Sequence, residues 1–242
     1  MILEVCVDSV ESAVAAEQGG AERVELCADL EHGGTTPSTG TIKSVRQAVS
    51  MKVHVMIRPR GGDFCYSEND FEVMRRDILE IKKLGVDGLV FGILTHDGKI
   101  DRERTEILLK MARPLSVTFH RAFDETGDLF TALAELTRLG VDRVLTSGGR
   151  PAVEAGMQIL ARLVRDAGPS IKVLAGGGIT PENVADVIEQ TDVDEIHALR
   201  SVSESLEHSS SSPGSSHAPR MVVDATKVRT MVEILQRLSP RV

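Results

Sequence analysis

Short apolar runs that end in polar residues alternate along this chain with longer stretches of helical periodicity. The runs lie at 2–7, 23–27, 52–58, 88–92, 115–121, 143–147, 171–175 and 195–198, and the helical stretches that follow them at 10–18, 40–49, 68–84, 102–112, 127–139, 151–166, 181–190 and 225–238. Strand and helix in strict alternation predict a parallel sheet with crossover helices. Four helix-to-strand connections share one device, at Gly19-Gly20-Ala21, Leu84-Gly85-Val86, Leu139-Gly140-Val141 and, without the glycine, Thr191-Asp192-Val193. A left-handed cap ends the helix there, and the next aliphatic residue turns inward before the strand starts. Eight such units joined by mostly short connections predict a single-domain α/β fold, a closed parallel (β/α)8 TIM barrel over residues 1–242. The Gly-rich dinucleotide turn of an open doubly wound sheet is missing after the first strand.

One connection breaks the rhythm. Residues 201–220 contain four consecutive serines, Ser209 to Ser212, then Pro213-Gly214 and Pro219, without apolar periodicity. Their composition is that of a mobile loop between the last strand and the last helix, with a lid over the barrel mouth as the functional alternative.

Composition narrows the function. With no Trp, one Tyr and six Phe, the core must be aliphatic, and aromatic platforms for stacking nucleic-acid bases are scarce. A net charge of −8 opposes attraction to phosphate backbones and anionic membranes. No apolar stretch approaches membrane-spanning length and the chain starts directly in a strand, so the expected location is the cytoplasm, nucleus included. Three cysteines in that compartment are expected to be free thiols.

A polar residue at the carboxyl end of a barrel strand costs desolvation unless it is paired or used, which makes such positions site candidates. Alternation places His54, Met56 and Arg58 on one face of the third strand; Pro59 ends the strand, and Gly61-Gly62 turns the chain to present Asp63. Arg58 and Arg60 beside Asp63 form a fork for an anionic ligand, or Arg58 and Asp63 make an ion pair that merely pins the loop. The fifth strand closes with Thr118, His120, Arg121 and Asp124, where His120 suits general acid–base work or ligand contact with Asp124 nearby. Glu4 and Glu25 each precede a cysteine by two residues, and buried carboxylates need partners; Arg58 and His54 on the neighbouring strand are the expected ones. Cys6 and Cys27 then face each other across a strand pair, as small buried hydrophobes or as two thiolates able to hold a soft ion such as Cu(I). The spacing of a closed zinc site is missing, and no organic cofactor is expected. The sixth and seventh strands end in Gly-rich turns, with Ser147 and Gly148 in one and Gly177 and Gly178 in the other, which offer backbone amides to an anion; the eighth, ending at Arg200, lacks the matching turn.

The stretches Arg58-Pro59-Arg60-Gly61-Gly62-Asp63-Phe64 and Val117-Thr118-Phe119-His120-Arg121-Ala122-Phe123-Asp124, with Leu145-Thr146-Ser147-Gly148 and Arg23-Val24-Glu25-Leu26-Cys27, resemble the CutC family. The likeness runs from Leu3 to about His197, returns over the last helix, and is loose in the Ser-rich loop. It implies a cytoplasmic TIM barrel, homodimeric or homotetrameric, associated by name with copper homeostasis. In animal-type members two cysteines matching Cys6 and Cys27 are the proposed Cu(I) ligands. The residues themselves leave a second expectation open: an enzyme that grips a small anionic metabolite through Arg58 and Arg60, with His120 moving a proton and Glu4, Glu25 or Asp124 assisting.

Overall fold

A computed structural model of the chain describes residues 1–206 and 220–238. Eight parallel strands close a barrel in sequence order: β1 (Ile2–Val7), β2 (Arg23–Leu26), β3 (Lys52–Met56), β4 (Gly88–Phe91), β5 (Ser116–Phe119), β6 (Arg143–Thr146), β7 (Lys172–Ala175) and β8 (Glu195–Ala198). The helices α1 (Val10–Gly19), α2 (Thr39–Ala48), α3 (Glu68–Ile81), α4 (Arg102–Ala112), α5 (Leu129–Leu139), α6 (Val153–Ala167), α7 (Val184–Thr191) and α8 (Ala225–Leu238) cover its outside.

The repeated caps behave as expected. Gly85 and Gly140 follow their helical turns with φ of 72° and 82°, and Asp192 takes the same left-handed conformation at φ 59° without being glycine. The following Val86, Val141 and Val193 are buried. Helix starts carry side-chain caps: Ser67 and Asp70 form a capping box on α3, and Asp128 accepts two amides of α5. Outward-facing Leu3, Val5, Val24, Val53, Val55, Leu89 and Val117 pack under the helices in one continuous aliphatic core.

Strand ends depart from the expected boundaries where chemistry concentrates. The third and fifth strands stop at Met56 and Phe119, so Arg58 and His120 stand on the loops just beyond them. A short 3-10 turn, Arg121–Glu125, follows with His120 as its N-cap. The expected loop after β8 is also corrected at both ends. A 3-10 turn (Arg200–Val202) leads into β9 (Ser203–Leu206), which pairs antiparallel with β10 (Arg220–Val223). The apolar run Met221-Val222-Val223 supplies one side of this ribbon, and the serine run lies outside the described residues.

Candidate metal and ligand site at the barrel mouth

The register of the barrel sets the site. β1 and β2 pair with Glu4 opposite Arg23 and Cys6 opposite Glu25, so Glu4 and Glu25 do not occupy equivalent places. Cys6 and Cys27 are therefore diagonal neighbours, and their thiols meet with Sγ atoms 3.9 Å apart. Both are buried, Cys27 in the turn just beyond β2, where its amide donates to the Val7 carbonyl.

Below the thiols lies a layer of charge. Glu4, fully buried, is hydrogen-bonded by the Arg23 guanidinium and accepts at 2.7 Å from Nδ1 of His197 on β8. Arg23 also reaches Glu195, which binds Arg143 from β6, and Arg143 in turn contacts Thr118 on β5 at 3.4 Å. The expectation that Arg58 and His54 pair with Glu4 and Glu25 does not hold. Arg23 and His197 take that role for Glu4, while Nδ1 of His54 has no partner and Arg58 points into a different neighbourhood.

His197 joins the two layers. Its Nε2 is 4.0 Å from Glu25 Oε2, which in turn lies 3.6 Å from the Cys27 sulfur. Burial pulls the His197 imidazole toward neutrality, yet its contacts with Cys6 and Glu4 and the charge of Glu25 raise its pKa well above the ordinary value. Burial also works against ionised Glu4, but the Arg23 charge beside it holds its carboxyl well below the carboxylate range. Glu25 moves the other way: burial, then the Cys6 thiolate, push it well above the usual value. In the thiol pair, the hydrogen bond from Cys27 brings Cys6 down to about 6 against the cost of burial, and the same bond and burial raise Cys27. One thiolate, shared across two sulfurs and facing an imidazolium, is the favoured state at neutral pH.

Two groups of donor atoms lie within 4.8 Å of one another, Cys6 with Glu25 and Cys27, and Glu4 with Glu25 and His197. The separation of the sulfurs excludes a disulfide bond of about 2.05 Å. It is a little under twice a metal–thiolate bond of about 2.3 Å, the zinc–sulfur value. Oε1 of Glu25 is buried without a hydrogen-bond partner beside them. This soft, charge-compensated donor set fits a single Cu(I) ion.

Above the thiols the barrel opens into a cavity of about 960 Å³, lined among others by Cys6, Cys27, Arg58, His120, Arg121 and His197. Of the residues expected to grip an anion, Arg58 lines it, whereas Arg60 and Asp63 do not: Arg60 pairs with Asp63 at 3.1 Å and with Asp70 at 3.3 Å, pinning the loop to the start of α3. Asp63 is thus the partner of Arg60, not of Arg58. Asp124 lines the cavity wall but is engaged: its carboxylate accepts from the amides of Ser147 and Gly149, the hydroxyls of Thr146 and Ser147, and the Arg121 guanidinium. The turn after β6 therefore holds an internal anion, with Ser147 and Gly148 built into that turn and not lining the cavity. Arg121 is committed to Asp124 at 2.8 Å and to Ser147 Oγ at 2.6 Å. Gly177 and Gly178 remain on the cavity wall.

His120 does not bond Asp124. Its Nδ1 accepts from the Ala122 amide at 3.2 Å, and burial, then the nearby Arg58 charge, lower it to about 3, so it is neutral at physiological pH. Sequence reasoning missed His197, Arg23, Arg143 and Glu195 as members of the interior network. The signal was present: alternation puts Glu195 and His197 on one face of β8, as it does Arg23 with Glu25 on β2.

The sequence model of the CutC family matches residues 1–202. This chain belongs to the CutC family. A copper homeostasis protein cutC homolog of Homo sapiens is 48% identical over 245 residues, covering 98% of this chain and 90% of the human one. That of Mus musculus is 49% identical, covering 95% and 88%. The crystal structure of CutC from Streptococcus agalactiae superposes with a TM-score of 0.78 at 36% identity, over 81% of this chain and 97% of the bacterial one. Membership of the CutC family thus accounts for the barrel and for the motifs at the ends of β3, β5 and β6. No helix among the described residues is long and apolar enough to cross a membrane.

Proposed function

We propose that this CutC protein binds one Cu(I) ion at Cys6 and Cys27 and serves copper homeostasis as a cytoplasmic carrier or buffer. The observation that carries this reading is the buried thiol pair, 3.9 Å apart, open to a cavity and backed by the cationic His197 and Arg23. A Cu(I) ion between two thiolates has a net charge of −1, and a buried charge needs a counter-charge. His197 supplies one at the thiols, while Glu4 fixes its ring through Nδ1. Loading consumes thiolates: Cys6 is ionised in advance, and Cys27 gives up its proton as copper arrives. Homodimeric or homotetrameric assembly is part of the same proposal, and light scattering on the purified chain tests it.

The direct test is an anaerobic titration against a chromophoric Cu(I) chelator. One copper per chain is expected for wild type and none for the Cys6→Ser, Cys27→Ser double variant. Equal stoichiometry in the two proteins would reject the dithiol site.

A further inference from the structure

Arg58 is buried, and every acceptor it has found is neutral. Its Nη1 donates to the carbonyls of His32 at 3.1 Å and Gly34 at 2.9 Å, and its Nη2 to that of Gly62 at 2.7 Å. Its Nε has no partner, and among the described residues no carboxylate lies within ion-pair distance of it. The other interior arginines, Arg23 and Arg143, both bind Glu195. A buried guanidinium without a counter-charge is costly, and such a cation marks a place where an anion belongs.

His120 supplies a second orphan beside it. Because Nδ1 accepts the Ala122 amide, the ring proton of the neutral imidazole sits on Nε2, and this buried Nε2–H has no hydrogen-bond partner among the described residues. Arg58 and His120 both contact the same ring: the Arg58 guanidinium is 4.9 Å and the His120 ring 4.8 Å from the centre of Phe64. Both line the cavity. The ring is also held in place, since a Cβ at Gly92 would come within 2.7 Å of its Nδ1 and Cε1. Of the acids that line the cavity, Asp124 is taken up by five donors, and neither Glu25 nor Glu125 is within ion-pair distance of Arg58.

From these two orphaned donors we infer that the cavity is a binding site for a small organic acid, whose carboxylate is held between Arg58 and the Nε2–H of His120. The cavity falls within the roughly 300–1,000 Å³ of small-molecule sites, far more than a single metal ion requires. Met56, Leu145, Ile179 and Leu199 supply apolar wall, which suits a ligand with an aliphatic body. His120 acts here as a fixed hydrogen-bond donor, not as a base. The site shares its cavity with the thiol pair, but neither donor is a thiol and its ligand is held without copper.

The test uses the full, reduced chain with hexanoate as probe and hexan-1-ol as its uncharged counterpart, read by calorimetry and by the ¹⁵N signals of the His120 ring. Saturable hexanoate binding that moves the His120 Nε2 signal is expected, with hexan-1-ol inert. His120→Phe and Arg58→Lys should each weaken hexanoate binding at least about ten-fold, as expected for loss of a charge-assisted hydrogen bond. No hexanoate response at His120, equal binding of the alcohol, or wild-type affinity in both variants would overturn the site. If a variant fails to fold, the wild-type ¹⁵N response and the acid–alcohol contrast decide the matter.

Discussion

At the residue scale, three histidines inside one barrel have opposite electrostatic fates. Burial drives His54 and His120 to about 3, whereas His197 is held protonated by the thiolate and carboxylates around it. The thiol pair inherits this asymmetry. Alkylation by a small reagent should label Cys6 before Cys27, with a rate that rises through pH 6 rather than pH 9. Peptide mapping checks the order, and His197→Gln should move the midpoint upward by removing the cation. Because Cys27 still carries its proton at neutral pH, copper binding should release about one proton, and apparent affinity should rise roughly ten-fold per pH unit from 7 to 8. A flat profile in chelator competition would show that both thiols are already ionised. The polar strand ends were legible as site residues because alternation and desolvation single them out. Their pairing was not, since it depends on barrel register: the shift that sets Cys6 opposite Glu25 also gives Glu4 to Arg23 and leaves Arg58 without a carboxylate.

At the element scale, the β/α alternation and the left-handed caps announced all eight strand–helix units. What the sequence did not disclose was how loops are tied after the strands end. Pro59 and the paired glycines signalled a turn, but whether Asp63 would meet Arg58 or Arg60 depends on where β3 stops. The turn after β6 resembled an anion cup in sequence, and the anion it holds is the chain's own Asp124. Two glycines carry structural information of the same kind: Gly88 on β4 and Gly92 just beyond it leave room for the rings of His54 and His120. Gly92→Ala is expected to destabilise the protein by about 1–3 kcal/mol through overpacking, measured by urea unfolding. The same substitution should displace the His120 ring, which its NMR signals would report.

At the scale of the whole molecule, buried charge ties distant parts of the barrel together. Glu195 on β8 holds Arg23 from β2 and Arg143 from β6. Glu195→Gln strands the Arg143 guanidinium and takes from Arg23 one of its two carboxylates, and should cost about 3–5 kcal/mol in unfolding free energy. Stability should also depend on pH through the neutral histidines. Between about 3 and 6.5 an unfolded chain protonates His54 and His120 while the folded one does not, so stability falls as pH falls across that window. Glu25, whose carboxyl burial raises well above its usual value in the folded state, offsets part of this slope. Replacing His120 by Phe should flatten the acid limb of a plot of Tm against pH.

X-ray absorption on the protein loaded anaerobically with one equivalent of copper reads the proposed site at Cys6 and Cys27 without an intermediary. Cu(I) with two sulfur neighbours is expected, with loss of that sulfur shell in the Cys6→Ser, Cys27→Ser double variant. Copper surrounded only by nitrogen and oxygen, or an unchanged sulfur shell in the double variant, would contradict it.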